Sequence, residues 1–177
     1  MSTKFFNNAP GNTLFDKLKG IASDMTTFDR FLAVVGFFRS SGYFKLRKEL
    51  GDISEIKILV GINIDDIFRK HNKALLMLAD EDKAKEIYHN GFKEDIINAQ
   101  YSPEVEEGIL QMCEDLVSGR LQMRIHATKN LHAKFYLCLP QTHSEHSDGW
   151  VIMGSSNISD SGLGIKQHPQ YELNVAM

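Results

Sequence analysis

Long apolar runs are missing from this chain of 177 residues. None approaches the roughly 20 residues that a bilayer-crossing helix requires, so a span of that kind is excluded. A secretion signal is missing too, because Met1 to Gly11 is polar and has no apolar core. Cysteine is scarce. Cys113 and Cys138 are too few for a disulfide framework, and both sit in apolar patterns that suit buried thiols. No Gly-x-x-x-x-Gly-Lys-Ser/Thr loop occurs, so nucleotide binding of the ATPase kind is not expected of this chain. Repeats, low-complexity tracts and an obvious linker are absent as well. The expectation is one domain over 1–177 in a cytoplasmic protein without a membrane partner.

A strong charge of either sign is also lacking. The net charge of −3 argues against a protein that coats nucleic acid over its whole surface. Residues 1–74 nevertheless carry 12 basic and 8 acidic side chains, 75–120 carry 4 and 11, and 121–177 carry 4 of each. A polyanion would therefore meet a local surface, and the acidic middle reads most simply as a solvated helical face.

What is present is an alternation of strand and helix signals. Asn12 to Met25 spaces Leu14, Leu18 and Ile21 at helical intervals. Phe28 to Phe38 is a nearly continuous apolar run that suits a strand covered on both faces, as does Glu55 to Ile62. Between them Tyr43 to Leu50 reads as a short helix stopped by Gly51. Ile64 to Tyr101 is polar and helical in composition. Ser102 and Pro103 then open a clear helix with Glu104 and Glu106 at its positive end, and Val105, Ile109, Met112 and Leu116 form its apolar stripe. Strand candidates follow at Leu121–His126, Leu131–Leu139, Trp150–Met153 and Tyr171–Val175. The fold class expected is α/β, a mixed β-sheet sandwiched by helices.

Chemistry concentrates in the last third. If Leu131–Leu139 is a strand, His132, Lys134, Tyr136 and Cys138 share one face. An ammonium is costly to bury without a partner, so that face is expected to open onto a polar cleft or an anion. The next strand candidate runs into Gly154-Ser155-Ser156-Asn157, which places hydroxyl and amide donors at one sheet end where Gly154 permits close backbone approach. Either element alone has a bland account, an edge strand or a capping loop. Their conjunction points to anion chemistry.

His132-Ala-Lys134 and Gly154-Ser155-Ser156-Asn157 resemble, in order, the HxK and GSxN half-motifs of the phospholipase D superfamily. Tyr171-Glu172-Leu173 is similar to the later acidic strand of its nuclease-like members. The stretch from Phe31 to Leu50, followed by Ile56 to Ile62, resembles the phospholipase D-like domain at the N-terminus of bacterial DNA helicases. The resemblance implies a half-site domain in which His132 attacks phosphorus and Glu172 orients its ring. Lys134, Ser155 and Asn157 would then hold the phosphoryl oxygens. It implies no metal and no cofactor, DNA as partner, and a homodimer in which the second His132 supplies the acid. A covalently attached helicase domain is a further expectation, as is an N-terminal origin within a longer protein, because the chain stops at Met177 directly after a strand candidate. The signature departs in that Leu139 stands where the family has Asp, five residues after the lysine, and an insertion rich in Pro, Gln, Thr and His separates the two half-motifs. That departure supports the alternative, a degenerate DNA-binding or dimerisation module on the same fold.

Other combinations are weaker. His71-Asn-Lys73 is a second HxK with no GSxN after it. His143, Glu145, His146 and Asp148 crowd one connection without tetrahedral ligand spacing. Asp65 and Asp66 suit a turn. Arg39, Lys45, Arg47 and Lys48 form a basic strip that could be a DNA-backbone guide or an ordinary helix face. The phenylalanines at 5, 6, 28, 31, 37 and 38 read as packing.

Overall fold

The structure is a computed structural model that describes residues 4–64, 102–126, 131–145, 147–167 and 171–177. The helical reading of 65–101, the pair His71 and Lys73, the acids Asp65 and Asp66, and His146 lie outside the described residues.

Among the described residues seven strands form one mixed sheet: β1 (Lys4–Asn7), β2 (Phe28–Phe38), β3 (Glu55–Ile64), β4 (Leu121–Ile125), β5 (Phe135–Pro140), β6 (Trp150–Gly154) and β7 (Leu173–Ala176). Their order across the sheet is β1-β7-β6-β5-β2-β3-β4. β2, β3 and β4 run parallel, whereas β5, β6, β7 and β1 join as successive antiparallel pairs. The parallel trio needs crossovers, and helices supply them. α2 (Ser40–Leu50) links β2 to β3, and α3 (Pro103–Val117) leads into β4. α1 (Leu14–Asp24) precedes β2.

Local chemistry explains where the helices begin. Thr13 and Asp16 form a reciprocal capping box on α1, with the Asp16 N–H donating to Thr13 Oγ at 3.0 Å and the Thr13 N–H to Asp16 Oδ2 at 3.0 Å. Ser102 Oγ accepts from the Val105 N–H at 3.3 Å, and Pro103 fills the first turn, where no donor is needed. α1 and α3 match their expected spans to within a residue or two. α2 starts earlier than its apolar spacing indicated, at Ser40, because the chain turns into helix as soon as β2 ends.

The three described helices pack on one face of the sheet. Leu14, Leu18 and Ile21 of α1, Tyr43, Leu46 and Leu50 of α2, and Ile109 and Met112 of α3 meet Phe31, Val35, Ile56, Ile58, Val60, Leu121, Tyr136 and Ile152. Full burial of each such side chain contributes about 1.5–3 kcal/mol. Gly108 lets α3 approach Phe44 of α2, where a β-carbon would strike the ring. On the other face Leu32, Val34, Leu59, Phe135 and Leu137 line a groove of about 590 Å³. That groove includes none of the five residues singled out above.

A polar knot ties α2 to α3. Asp115, fully buried, accepts from Arg47 Nε at 2.6 Å and Nη2 at 3.2 Å, from Tyr43 Oη at 3.3 Å, and from Arg120 Nη1 at 3.2 Å. Burial, with the Asp115 charge adding to it, drives the Tyr43 phenol well above its usual range. The basic strip of the sequence is therefore not a free cationic face. Arg47 turns inward, Lys45 pairs with Asp160 at 2.9 Å, and Lys48 with Glu107 at 2.6 Å. Both thiols are pushed up to about 12 by burial, Cys138 deep in the sheet and Cys113 half-buried, which keeps them protonated at neutral pH. No helix among the described residues is long and apolar enough to cross a membrane.

Candidate active site

The strand directions bring the candidate residues to one end of the sheet. β2 and β3 finish there, β6 finishes there at Gly154, and β5 and β7 start there. The ends of parallel strands are where open α/β sheets commonly bind ligands.

The expected strand Leu131–Leu139 is shorter than its apolar alternation suggested. β5 begins at Phe135, so His132 and Lys134 precede the ladder instead of belonging to it. The reason is visible below them. Leu131 and His132 cross over the ends of β2 and β3 at two glycines. A β-carbon on Gly61 would lie 2.7 Å from both Gly36 O and Leu131 O, and one on Gly36 would lie 3.2 Å from Leu131 O and 3.5 Å from His132 Cα. The backbone seats itself on this glycine shelf before the ladder begins, and Lys134 meets β6 only through its carbonyl, which accepts from the Gly154 N–H at 3.3 Å.

His132 is exposed, and Lys134 is buried with 6% of its surface accessible. The ammonium donates to the His132 carbonyl at 2.7 Å. Burial pulls its pKa below the ordinary 10.5, and the negative charge of Glu172 opposes that shift. Past Lys134 the alternation holds, but Tyr136 and Cys138 enter the helix-covered core and not a cleft. Tyr136 is fully buried, which together with Glu172 places its phenol far above the usual range, and its O–H donates to Ser156 O at 2.6 Å.

The Gly154–Asn157 loop sits beside this lysine. Asn157 Oδ1 accepts from the Gly36 N–H at 3.1 Å and the Phe37 N–H at 3.0 Å. Two backbone donors fix which way the amide faces, because the NH₂ end could not accept them. Among the described residues the NH₂ is thus the end left to donate to a ligand. Ser155 Oγ accepts from the Leu173 N–H at 3.0 Å, and its hydroxyl donates weakly to the Leu173 carbonyl at 3.5 Å. A β-carbon on Gly162 would lie 2.6 Å from the Asn157 N, so the chain after the loop folds tightly under it.

Glu172 is buried immediately before β7. Its charge acts on Lys134 and Tyr136. No hydrogen bond joins it to the His132 ring among the described residues. Leu139, at the family's Asp position, is buried near the far end of β5. Five residues at about 3.3 Å each put it roughly 16 Å along the strand from Lys134. Its apolar character therefore takes no charged group away from His132. The connection holding His143, Glu145 and Asp148 makes no metal-binding cluster among the described residues, and His143 Nδ1 meets Ser147 Oγ at 3.0 Å.

No family model matches the sequence, and no curated protein matches it. Solved structures do. Yeast tyrosyl-DNA phosphodiesterase superposes with a TM-score of 0.51 and 10% identity, over 99% of this chain and 32% of that one. A histidine-to-asparagine variant of the same enzyme gives 0.51 and 11% over 99% and 32%. That enzyme is a phospholipase D superfamily member. The chain has the phospholipase D-like fold. It spans about a third of the length of these solved chains, and at 10–11% identity the likeness is one of architecture.

Four residues of this candidate site escaped the sequence reading. Gly36 and Gly61 interrupt apolar strand runs, a known sign of close backbone approach. Asn174 breaks the apolar stretch after Glu172, and Ser156 occupies the variable position of the GSxN motif. Each carried a signal that was weak without the fold.

Proposed function

We propose that this chain supplies half of a metal-independent phosphodiester-cleaving site that acts on DNA. The observation that carries the reading is the assembly, at one sheet end, of an exposed imidazole, a buried ammonium and an amide whose oxygen is engaged, so that its NH₂ faces away from those two donors. Neutral His132 attacks phosphorus, a P–N bond forms and the P–O bond to the leaving nucleoside breaks. Lys134, Asn157 and Ser155 donate to the phosphoryl oxygens, whose charge grows in the transition state. Glu172 lies close enough in the fold to influence Lys134. In the loaded site it accepts the second ring N–H of His132 and stabilises the imidazolium. The leaving oxygen takes its proton from an acid. One HxK…GSxN set occurs per chain, so His132 of a second copy across a twofold axis fills that role. Water then attacks phosphorus, and the P–N bond breaks to restore His132. In the intact protein this module precedes a helicase domain.

The test is hydrolysis of labelled single- and double-stranded DNA in excess EDTA, together with sedimentation. Cleavage by a dimer supports the reading, and a clean monomer removes the second histidine and with it the mechanism. A degenerate binding module is favoured by the Lys134 contact to the His132 carbonyl, which occupies one ammonium hydrogen. It predicts DNA retention without cleavage.

Two outcomes follow from the geometry. Lys134 assists only while charged, and burial lowers its pKa, so kcat/KM declines on the alkaline side at a pH below 10.5. Lys134→Met removes that alkaline limb along with on the order of 10²–10³ in rate, as loss of an oxyanion donor does. Gly61→Ala places a methyl against two main-chain carbonyls and shifts the His132 crossing. A displacement of that order costs about 10² in kcat, read by steady-state cleavage with the fold checked by circular dichroism.

A further inference from the structure

Ser156 is the one residue of the GSxN loop to which the motif assigns nothing, yet it is fully buried and every polar group it has is engaged. Its Oγ accepts from Asn174 Nδ2 at 2.9 Å, its N–H donates to Asn174 Oδ1 at 3.4 Å, and its carbonyl accepts from Tyr136 Oη at 2.6 Å. Asn174 is 2% exposed and lies in β7, two residues beyond Glu172, opposite Gly154. A β-carbon on Gly154 would collide with the Asn174 side chain, so the two strands touch at that point.

An amide in a sheet core is a liability unless each of its ends finds a partner. A leucine or valine would fill the same pleat without that risk. The donor and acceptor of Asn174 match the acceptor and donor that Ser156 presents, and the match holds the residue lying between Ser155 and Asn157. Asn157 in turn grips the Gly36 and Phe37 N–H groups beneath the His132 backbone. An unbroken line of contacts thus runs from β7 through the loop to the shelf that carries His132.

We infer that Asn174 is a positioning residue for this site, acting through Ser156 to hold the Asn157 amide and the His132 shelf in register with Glu172. The inference rests on the phosphodiesterase reading for its catalytic consequence, but its structural core can be tested apart from it.

Asn174→Leu, Ser156→Ala and the double variant are prepared in the full chain. Backbone amide exchange is followed by NMR, and kcat and KM for oligonucleotide cleavage are measured alongside. In Asn174→Leu the Gly36 and Phe37 amides exchange faster, on the order of tenfold, while those of Ile58 and Leu59 in β3 keep their protection. kcat falls by about 10² with KM nearly unchanged, as expected for misplaced groups and not for lost binding. Ser156→Ala, a small truncation that keeps the fold, shifts the same amides in the same direction. The double variant is no worse than Asn174→Leu, because both remove one interaction. Unchanged exchange at Gly36 and Phe37 overturns the proposal. So does loosening spread evenly over β3, or additive effects in the double variant. If the wild type cleaves nothing, the phosphodiesterase reading fails and the exchange pattern alone decides whether the clamp exists.

Discussion

His132→Ala abolishes cleavage of an end-labelled oligonucleotide in excess EDTA while leaving the melting temperature of the protein nearly unchanged. The substitution removes the attacking atom and, in the proposed dimer, the acid as well. Loss of a nucleophile in other hydrolases costs on the order of 10⁶ in kcat, so activity drops to background. Stability is spared because the His132 side chain is exposed and its main chain, not its ring, carries the contacts to Lys134 and the glycine shelf. The wild type quenched during turnover retains label on the protein. The adduct is lost in acid and survives base, the behaviour of a phosphorus–nitrogen bond. Label retained by His132→Ala, or cleavage by it at the wild-type rate, would remove His132 from the mechanism. Cleavage by neither protein, with both shown to be dimers, would move the assignment to the degenerate binding module.

Asp115→Ala has the largest expected effect on stability. The carboxylate is fully buried and accepts from Arg47, Arg120 and Tyr43, with Gln111 adding a fourth donor at 3.3 Å. Removing it leaves the Arg47 guanidinium, largely withdrawn from water, without its counter-charge. Breaking a buried pair from one side typically costs about 3–5 kcal/mol, a large share of the roughly 5–15 kcal/mol that holds a domain of this kind together. Urea unfolding monitored by tryptophan fluorescence or circular dichroism reads the loss as a lower midpoint at unchanged slope. The paired replacement Arg47→Met with Asp115→Leu recovers part of it, since Arg47 no longer remains as a buried unpaired charge and Arg120 keeps Asp52, while the Tyr43 hydroxyl still loses its acceptor. A midpoint for Asp115→Ala within error of the wild type would show that water enters the knot and that α2 and α3 do not depend on it.

Much of the architecture was legible because short-range chemistry sets it. β2 coincides with the expected Phe28–Phe38 run, and α3 begins where Ser102 and Pro103 indicate. β1 was missed: its four residues, Lys4–Asn7, form a strand only because β7 offers an edge to pair with. Arg47 shows a different failure. On a helical wheel it belongs to a basic strip, but a buried Asp115 from a helix 68 residues away draws it inward. No local pattern announces a partner at that distance.

The candidate site divides in the same way. Which groups are available was set by the sequence alone: an imidazole and an ammonium two residues apart, a Gly-Ser-Ser-Asn turn and a late glutamate, with no cysteine framework and no long apolar helix among the described residues to suggest another setting. Those are properties of residue types and spacing, and they survive any error in strand boundaries. Their geometry came from tertiary structure. Period-two alternation placed His132 and Lys134 on a strand. The glycines at 36 and 61 instead open a shelf that the chain crosses before β5 begins. Asn157 became an oriented donor only once two N–H groups from β2 claimed its oxygen. Ser156 and Asn174 became a clamp only once β6 and β7 paired. Sequence spacing reports which side of its own element a residue faces. Contacts between residues 18 to 121 positions apart depend on which elements the fold makes neighbours.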